Sequence, residues 1–443
     1  MQDIKNDFGE IPVKLLLVSG SPRKKSNSDL LLNEALIGAQ AAGPTEVRSF
    51  QFSQKRVFPA ESEAEEAKRD DFDELLEKWR WADAVIWAMP VYTAAGPGLV
   101  YNALDRLAQA LRPGLKNAGY RKAAGLIMQG SETWGLLELG LENAIDVFAS
   151  LHCIPVSRLA GQVPDQQQPP ESLLERSRAL GGEVAEIAGL LRLAYGKPPA
   201  DDANVVILNA GVENAGIGVQ IEERLTARLS GIPGIHVSSF SFSGKKIEGC
   251  HHCNSYCGKY LECAYKDGFQ EFRRKWLEAD GLIWISSANH LGPPVVVRRA
   301  LDRLSEIGFS TVKHRHLAES APFAFAKYTR PEASISYGDT RYGGQEQSLQ
   351  FFITHAVLRG NLPITGSDPQ SPLGPAEFLR AVSQLGSNQW FTQAVDSLAD
   401  DVADLARRVL TAKREAYPGL PDRYYPSRTN MGITDKEAFF NGR

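Results

Sequence analysis

Residues 13–28 of the 443-residue chain read Val-Lys-Leu-Leu-Leu-Val-Ser-Gly-Ser-Pro-Arg-Lys-Lys-Ser-Asn-Ser. The continuous apolar run at 13–18 is typical of a central strand of a parallel sheet, and a helical pattern follows from about Asp29. A phosphate at the carboxyl end of such a strand can bind backbone N–H groups, small hydroxyls and the positive end of the helix. The loop therefore predicts a phosphate site or, more plainly, a polar turn with a Ser or Asn helix cap. The candidate phosphate ligands are Ser21, Pro22, Arg23, Ser26, Asn27 and Ser28.

The rest of the chain indicates that this arrangement occurs twice. Residues 72–106 align without gaps with residues 269–303, and two tryptophans and the run Ala-Leu-Asp-Arg coincide in that alignment. After a small insertion the agreement resumes, with Gly135, Glu138, Leu141 and Pro155 opposite Gly343, Glu346, Leu349 and Pro363. A register kept over this length indicates one fold that was duplicated and then diverged.

Each half alternates apolar strands with helical patterns. In the first half the strands after 13–18 are expected at 84–88 and 123–128. In the second half the three strands are expected at 205–208, 281–285 and 322–326. This alternation predicts an α/β protein with two tandem, doubly wound parallel-sheet domains. The predicted divisions are a disordered N-terminus at 1–10, domains at 11–196 and 203–415, and a tail at 416–443.

Two further loops of the first half leave the carboxyl ends of predicted strands, where open parallel sheets bind ligands. Residues 89–98 are rich in Pro and Gly, which allow a backbone to approach a flat ring closely, and residues 129–135 would close the other side. The candidate ring contacts are Pro90, Val91, Tyr92, Thr93, Gly130, Ser131, Glu132 and Trp134. One phosphate loop and two ring loops together describe a site for flavin mononucleotide (FMN).

The second half has changed at both of these places. Glu213 aligns with Arg23, and a carboxylate repels a phosphate dianion. The Pro-Val-Tyr of the ring loop becomes Ser-Ala-Asn at 287–289. We therefore expect the second half to have lost FMN binding.

The second half has instead gained a group of cysteines, namely Cys250, Cys253, Cys257 and Cys263. Four thiolates separated by two, three and five residues can surround a [4Fe–4S] cluster, which takes four Cys ligands. Structural zinc usually takes two pairs of ligands separated by a longer arm. A zinc site of four cysteines, or of three with His251 or His252, stays open, as do free or redox-active thiols. The fifth cysteine, Cys153, lies in an apolar run and is expected to be a small buried hydrophobe.

The Gly-Ser-Pro-Arg and Ser-Asn-Ser elements of the first loop, the Pro-Val-Tyr loop and the Asp-Arg pair downstream resemble the NAD(P)H-dependent FMN reductase family. The resemblance covers most of residues 11–196 and, more weakly, 203–366, and it implies a flavodoxin-like fold. The loop at 129–135 lacks the family's usual double glycine, whereas residues 343–346 match that loop and leave room for a nucleotide pocket in the second half.

The cysteine run is similar to that of the iron–sulfur flavoproteins of the same superfamily, in which two residues rather than three separate the second and third Cys. In those proteins the cluster of one subunit lies near the flavin of another. The resemblance therefore implies FMN in the first half and the cluster in the second, as in a fused pseudo-dimer.

The resemblance implies a flavin-dependent oxidoreductase that takes electrons from NAD(P)H or a ferredoxin-like donor to a small-molecule acceptor. The cofactors would supply the chemistry, because no acid–base pair or nucleophile stands out. The alternatives are an FMN or quinone reductase with zinc or no metal, and a non-catalytic electron carrier or scaffold. A formal charge of −4 and a pI near 6.1 argue against a nucleic-acid partner. The sequence contains no apolar leader or membrane span, so a cytoplasmic protein is expected. A homodimer stays open.

Overall fold

The computed structural model describes residues 11–59, 70–92, 94–111, 122–131, 136–164, 167–211, 216–253, 256–257, 262–288, 292–313, 329–338, 344–365, 373–378 and 388–416. The chain divides into two compact units. The first unit runs to Ala200 and also includes Phe352–Pro375 and Arg408–Pro418. The second comprises Asp201–Phe351, Ala376–Arg407 and Gly419–Arg443. The domain boundaries predicted from the sequence remain a proposal, and the two predicted tails lie outside the described residues apart from Ala416.

The first unit is built around a parallel sheet with strand order β2-β1-β3-β4-β5. Its elements are β1 (Val13–Ser19), α1 (Asn27–Ala42), β2 (Thr45–Gln51), α2 (Phe72–Trp81), β3 (Ala84–Pro90), α3 (Gly98–Leu111), β4 (Ala123–Gly130), α4 (Leu136–Ser150), β5 (Ile154–Gln162) and α5 (Glu171–Gly196). Strand β3 is buried along its whole length because helices cover both faces of the sheet. Helix α1 packs against α5, where the Ser177 hydroxyl donates to the Leu31 carbonyl at 2.7 Å.

The second unit repeats the arrangement, with strand order β7-β6-β8-β9 and β11 paired with β9. Its elements up to β9 are β6 (Ala203–Ala210), α6 (Ile217–Ser230), β7 (Ile235–Ser241), α7 (Gly268–Glu278), β8 (Gly281–Ser287), α8 (Val295–Lys313) and β9 (Pro331–Gly338). The later elements of the chain are α9 (Gln345–Leu358), β10 (Leu362–Ile364), β11 (Ala376–Phe378) and α10 (Gln389–Ala416), of which β10 lies in the segment Phe352–Pro375 of the first unit. The first two strands keep the same register in both units, since Val13 lies opposite Thr45 and Ala203 opposite Ile235. The predicted duplication of a doubly wound parallel-sheet fold is confirmed.

The strand that follows β8 in the second unit is β9, and the two pair in parallel. The strand predicted from the sequence at 322–326 lies outside the described residues. Strand β9 cannot be recognised as a continuous apolar run, because Glu332, Ser334 and Ser336 are buried within it. The side-chain oxygen of Glu332 accepts a hydrogen bond from Trp284 Nε1 at 2.7 Å, so this buried polar group has a partner.

A segment from the second half of the sequence completes the first unit. Ile353 on α9 packs into the apolar core around β3 and α4. Further along, the Thr365 hydroxyl donates to the carbonyl of Ala149 at 2.9 Å. The compact units therefore do not follow the linear order of the chain. In the described residues no helix is both long enough and apolar enough to cross a bilayer.

Candidate functional site

The loop between β1 and α1 holds the predicted phosphate ligands at the carboxyl end of the sheet. Ser26 is the N-cap of α1: its Oγ accepts from the N–H of Asp29 at 3.3 Å, and Asp29 Oδ2 accepts from the N–H of Ser26 at 2.7 Å. The plainer interpretation of this residue as a helix cap is therefore correct. Ser21 is buried, and its Oγ accepts from the N–H of Arg23 at 3.2 Å, whereas Pro22 and Arg23 are exposed.

The loop approaches β3 closely. The N–H of Gly20 donates to the carbonyl of Ala88 at 2.8 Å, and a Cβ at Gly20 would lie 2.8 Å from the Cβ of Met89. Only glycine fits at this position without displacing the neighbouring strand. The contact therefore fixes the start of the loop beside the carboxyl end of β3.

Ser28 is a predicted phosphate ligand whose buried hydroxyl has no hydrogen-bond partner among the described residues. It lies in the first turn of α1. An unpaired buried hydroxyl costs about 1–3 kcal/mol, and the first-turn N–H groups of a helix also lack partners within the helix. The neighbouring Asn27 amide donates to the carbonyl of Gln167 at 3.1 Å. Unsatisfied donors at a helix N-terminus fit a phosphate group.

This geometry predicts opposite effects of Ser28→Ala on stability and on FMN affinity. The flavin-free variant should be more stable than the flavin-free parent by about 1 kcal/mol, because the unpaired hydroxyl is gone. FMN affinity should fall about tenfold, because a hydrogen bond to the charged phosphate is lost. Thermal unfolding of the flavin-free proteins and FMN titration measure the two effects. Unchanged FMN affinity would exclude Ser28 from the phosphate site.

The ring loops leave the neighbouring strands β3 and β4. Tyr92 and Ala95 exchange backbone hydrogen bonds of 2.6 and 3.1 Å, as in a tight turn, and Ala94 has a positive φ of 62°. The turn is tied to β4, because the N–H of Val91 donates to the carbonyl of Gln129 at 2.8 Å. The Tyr92 side chain is 46% exposed and is thus free to stack on a flat ring. Thr93 lies outside the described residues.

The third loop begins at the end of β4. The Gly130 carbonyl accepts from the N–H of Val163 at 2.8 Å, and the carbonyl of the exposed Ser131 accepts from Gln162 Nε2 at 2.9 Å. Glu132 and Trp134 lie outside the described residues. Because β1, β3 and β4 are adjacent and parallel, all three loops open at one edge of the sheet, where a mononucleotide could bind.

In the second unit, side chains pack against the loop that is equivalent to the phosphate loop. Asn209 Nδ2 donates to the Gly218 carbonyl at 3.1 Å and to Glu222 Oε2 at 2.8 Å. A Cβ at Gly211 or Gly218 would lie 2.4 or 2.7 Å from the Tyr337 hydroxyl, so this phenol packs directly on the loop backbone. Gly218 takes the place of Ser28 in the alignment, and Glu213 lies outside the described residues. The second unit therefore has the Tyr337 phenol beside Gly218, the counterpart of Ser28, whose hydroxyl has no partner among the described residues.

The four clustered cysteines lie in the second unit, and none of them forms a disulfide. Cys257 and Cys263 are buried, and Cys250 and Cys253 are half-buried. Burial and the nearby thiols of Cys253, Cys263 and Cys250 raise the pKa of Cys257 to about 12. In the described part of the chain, no group of three or more His, Cys, Asp or Glu side chains is arranged as a metal-ion site. The proximity of the other three thiols to Cys257 fits an all-thiolate centre, whose positive ions would favour deprotonation of the thiols.

Sequence reasoning missed a fifth residue of this group, Arg303. Its Nη2 and Nε donate to Cys263 Sγ at 3.0 and 3.2 Å, and its Nη1 lies 2.7 Å from Asp267 Oδ2. Burial alone would raise the pKa of Asp267, but hydrogen bonds from Arg303 and from backbone N–H groups lower it. The only sequence signal was the repeated Asp-Arg, which gives no indication of a contact with sulfur.

The fold and the edge site together define a flavodoxin-like class of nucleotide-binding protein. The model of one family, described as NADPH-dependent FMN reductase, matches residues 13–167 and again 203–363. The chain belongs to this family of FMN-dependent oxidoreductases, as the sequence predicted.

Individual relatives are more distant. An iron-sulfur flavoprotein of Archaeoglobus fulgidus is 27% identical over 147 residues, which cover 33% of this chain and 69% of that protein. An iron-sulfur flavoprotein of Methanocaldococcus jannaschii is 28% identical over 197 residues, which cover 41% of this chain and 100% of that protein. Among solved structures, an NAD(P)H:quinone oxidoreductase from Methanothermobacter marburgensis has 19% identity and a TM-score of 0.31 over 39% of this chain and 96% of that one.

Proposed function

We propose that this oxidoreductase binds FMN in its first unit and a [4Fe–4S] cluster in its second, and that it carries electrons from NAD(P)H to a small-molecule acceptor. The observation that carries the proposal is the difference between the two units. Among the described residues, the Ser28 hydroxyl at the helix start of the first unit has no partner, whereas in the second unit Tyr337 packs on the equivalent loop and four clustered cysteines form no disulfide. The relatives named iron-sulfur flavoproteins support the second cofactor.

In the first unit the proposed phosphate ligands are the residues at the start of α1. Ser28 supplies an unpaired hydroxyl, and the exposed Arg23 supplies a permanent positive charge. Tyr92 and the backbone around Val91 and Gly130 are proposed to hold the isoalloxazine ring. FMN, when bound, accepts two electrons together and releases them one at a time. The chain's own part is to fix the ring at the sheet edge and to neutralise the phosphate.

In the second unit Cys250, Cys253, Cys257 and Cys263 are the proposed cluster ligands. A cluster bound there would supply a one-electron centre, which is a suitable partner for a flavin. The proposed domains remain 11–196 for FMN and 203–415 for the cluster.

Tyr337 leads to a prediction about the number of FMN sites. Titration of flavin-free protein should saturate at one FMN per chain, because the Tyr337 phenol and Glu222 exclude a phosphate from the second loop. Equilibrium dialysis with absorbance at the flavin band measures the ratio. Saturation at two equivalents would show that the second unit has kept a nucleotide pocket.

Anaerobic mixing with candidate donors tests the proposed activity. NADPH or NADH should bleach the flavin band of the holoprotein, and an added quinone should restore it. If only reduced ferredoxin bleached the flavin band, the donor would be ferredoxin-like rather than NAD(P)H. If no donor bleached it, an electron carrier or scaffold would be favoured. Zinc in place of iron would favour a simple FMN or quinone reductase. Light scattering tests whether the chain forms a homodimer.

A further inference from the structure

We propose that Arg303 is a positioning residue for the Cys263 thiolate, and that its two N–H···S hydrogen bonds raise the reduction potential of the cluster. The inference rests on the proposed cluster and adds to it a residue that is not a ligand. Arg303 is only 2% exposed, so its guanidinium is shielded from water and its donors must be satisfied within the protein.

The guanidinium is held by contacts on all sides. Nη1 donates to Asp267 Oδ1 and Oδ2 at 2.9 and 2.7 Å and to the carbonyl of Glu248 at 3.3 Å. Nη2 donates to the carbonyl of Tyr265 at 3.1 Å, and the guanidinium lies over the Phe269 ring at 4.2 Å from its centroid. The planar fork is thus fixed before any sulfur contact is considered. Nε and Nη2 then point at Cys263 Sγ at no further cost in side-chain entropy.

Comparison with the first half shows which contacts of Arg303 are independent of sulfur. Arg106, the counterpart of Arg303, pairs with Asp70, the counterpart of Asp267. It also lies over the Phe72 ring, at 4.0 Å from the centroid, as Arg303 does over Phe269. The alignment puts Glu66 opposite Cys263, so the first half has no sulfur at this position. The Arg–Asp pair is therefore shared scaffold, and the contact with sulfur belongs to the second half.

Hydrogen bonds to ligand sulfurs are among the factors that set cluster potentials. One-electron reduction adds negative charge to the cluster and its thiolates, and a fixed guanidinium stabilises that charge. Removal of these donors should therefore disfavour the reduced state. Residues that orient metal ligands through hydrogen bonds also affect retention, typically by 10–100-fold in metal affinity.

The test is a potentiometric titration of the full-length holoprotein, with the reduced cluster followed by electron paramagnetic resonance. Arg303→Lys keeps a positive charge for Asp267 but loses the fork that contacts Cys263. We expect the equilibrium constant for cluster reduction to fall about tenfold, which is ~59 mV to more negative potential for a one-electron couple. Iron should also be lost faster to a chelator. The matched control is Arg106→Lys, which makes the same change in the half without sulfur and should leave the potential unchanged.

The outcomes separate this inference from the function on which it rests. If the parent contains iron and sulfide but its cluster has the same reduction potential as that of Arg303→Lys, only the proposed role of Arg303 is overturned and the proposed function stands. An equal shift in Arg106→Lys would also overturn it, because the effect would then be general. A parent without iron would remove the proposed cluster and the inference together. If Arg303→Lys fails to fold, Asp267→Asn/Arg303→Gln, which removes both charges, should show the same negative shift, and an unshifted potential there would contradict the proposal.

Discussion

Arg23→Glu should yield a chain that is purified without FMN but with its iron in place. Arg23 is exposed in the loop before α1, next to the helix start that carries the unpaired Ser28 hydroxyl. Replacing its positive charge by a negative one turns attraction for the phosphate dianion into repulsion. We expect FMN affinity to fall by about 100-fold or more, which is ~3 kcal/mol. Flavin absorbance and iron analysis of the same preparation measure the two cofactors.

The matched control is Arg80→Glu, which makes the same change in net charge on the exposed last turn of α2. This variant should retain FMN, because Arg80 is not part of the phosphate loop. A similar loss of FMN in both variants would mean that overall charge, and not the loop, governs retention. Full FMN retention in Arg23→Glu would remove Arg23 from the phosphate site.

Cys257→Ser should have the complementary effect, with loss of iron and sulfide and retention of FMN. Cys257 is buried, and the thiols of Cys250, Cys253 and Cys263 all act on it, so its replacement removes a central member of the group. A serine hydroxyl is a poor ligand for iron compared with a thiolate. We expect the iron content to fall to about a tenth of the parent's or less, because a [4Fe–4S] cluster takes four Cys ligands and the variant offers three. The broad thiolate-to-iron absorption should disappear, while the flavin bands remain.

Cys153→Ser provides the comparison for this variant. Cys153 is a buried free cysteine of the first unit, and burial raises the pKa of its thiol to about 12, as expected for an inert core residue. Its replacement costs some stability but should leave the iron content per folded chain unchanged. Iron loss from Cys153→Ser, or iron retention in Cys257→Ser, would argue against a centre built from the clustered cysteines.

The sequence predicts those parts of the fold that depend on local patterns. The apolar run at 13–18 and the Ser26 cap are local signals, and both lie where the pattern puts them. Strand β9 is missed because a buried strand can be polar when partners exist, and the partner of Glu332 is a tryptophan 48 residues away in the chain. Tertiary pairing of this kind has no short-range signature.

The candidate site likewise has parts that could be predicted from the sequence and parts that could not. The loops at the strand ends follow from chain order, so their positions could be predicted. The Tyr337 phenol on the second loop and the Arg303 contact with Cys263 could not, because each depends on side chains that come from distant strands or helices. The part of the first unit supplied by Phe352–Pro375 is likewise a tertiary feature that periodicity does not encode.

The central claim is that each half has kept a different cofactor, and a joint cofactor analysis of the anaerobically purified full-length chain tests it most directly. FMN, iron, acid-labile sulfide and zinc are measured on one sample and divided by protein concentration. The account predicts one FMN with about four iron and four sulfide per chain. Two FMN per chain, or zinc without iron, would contradict it.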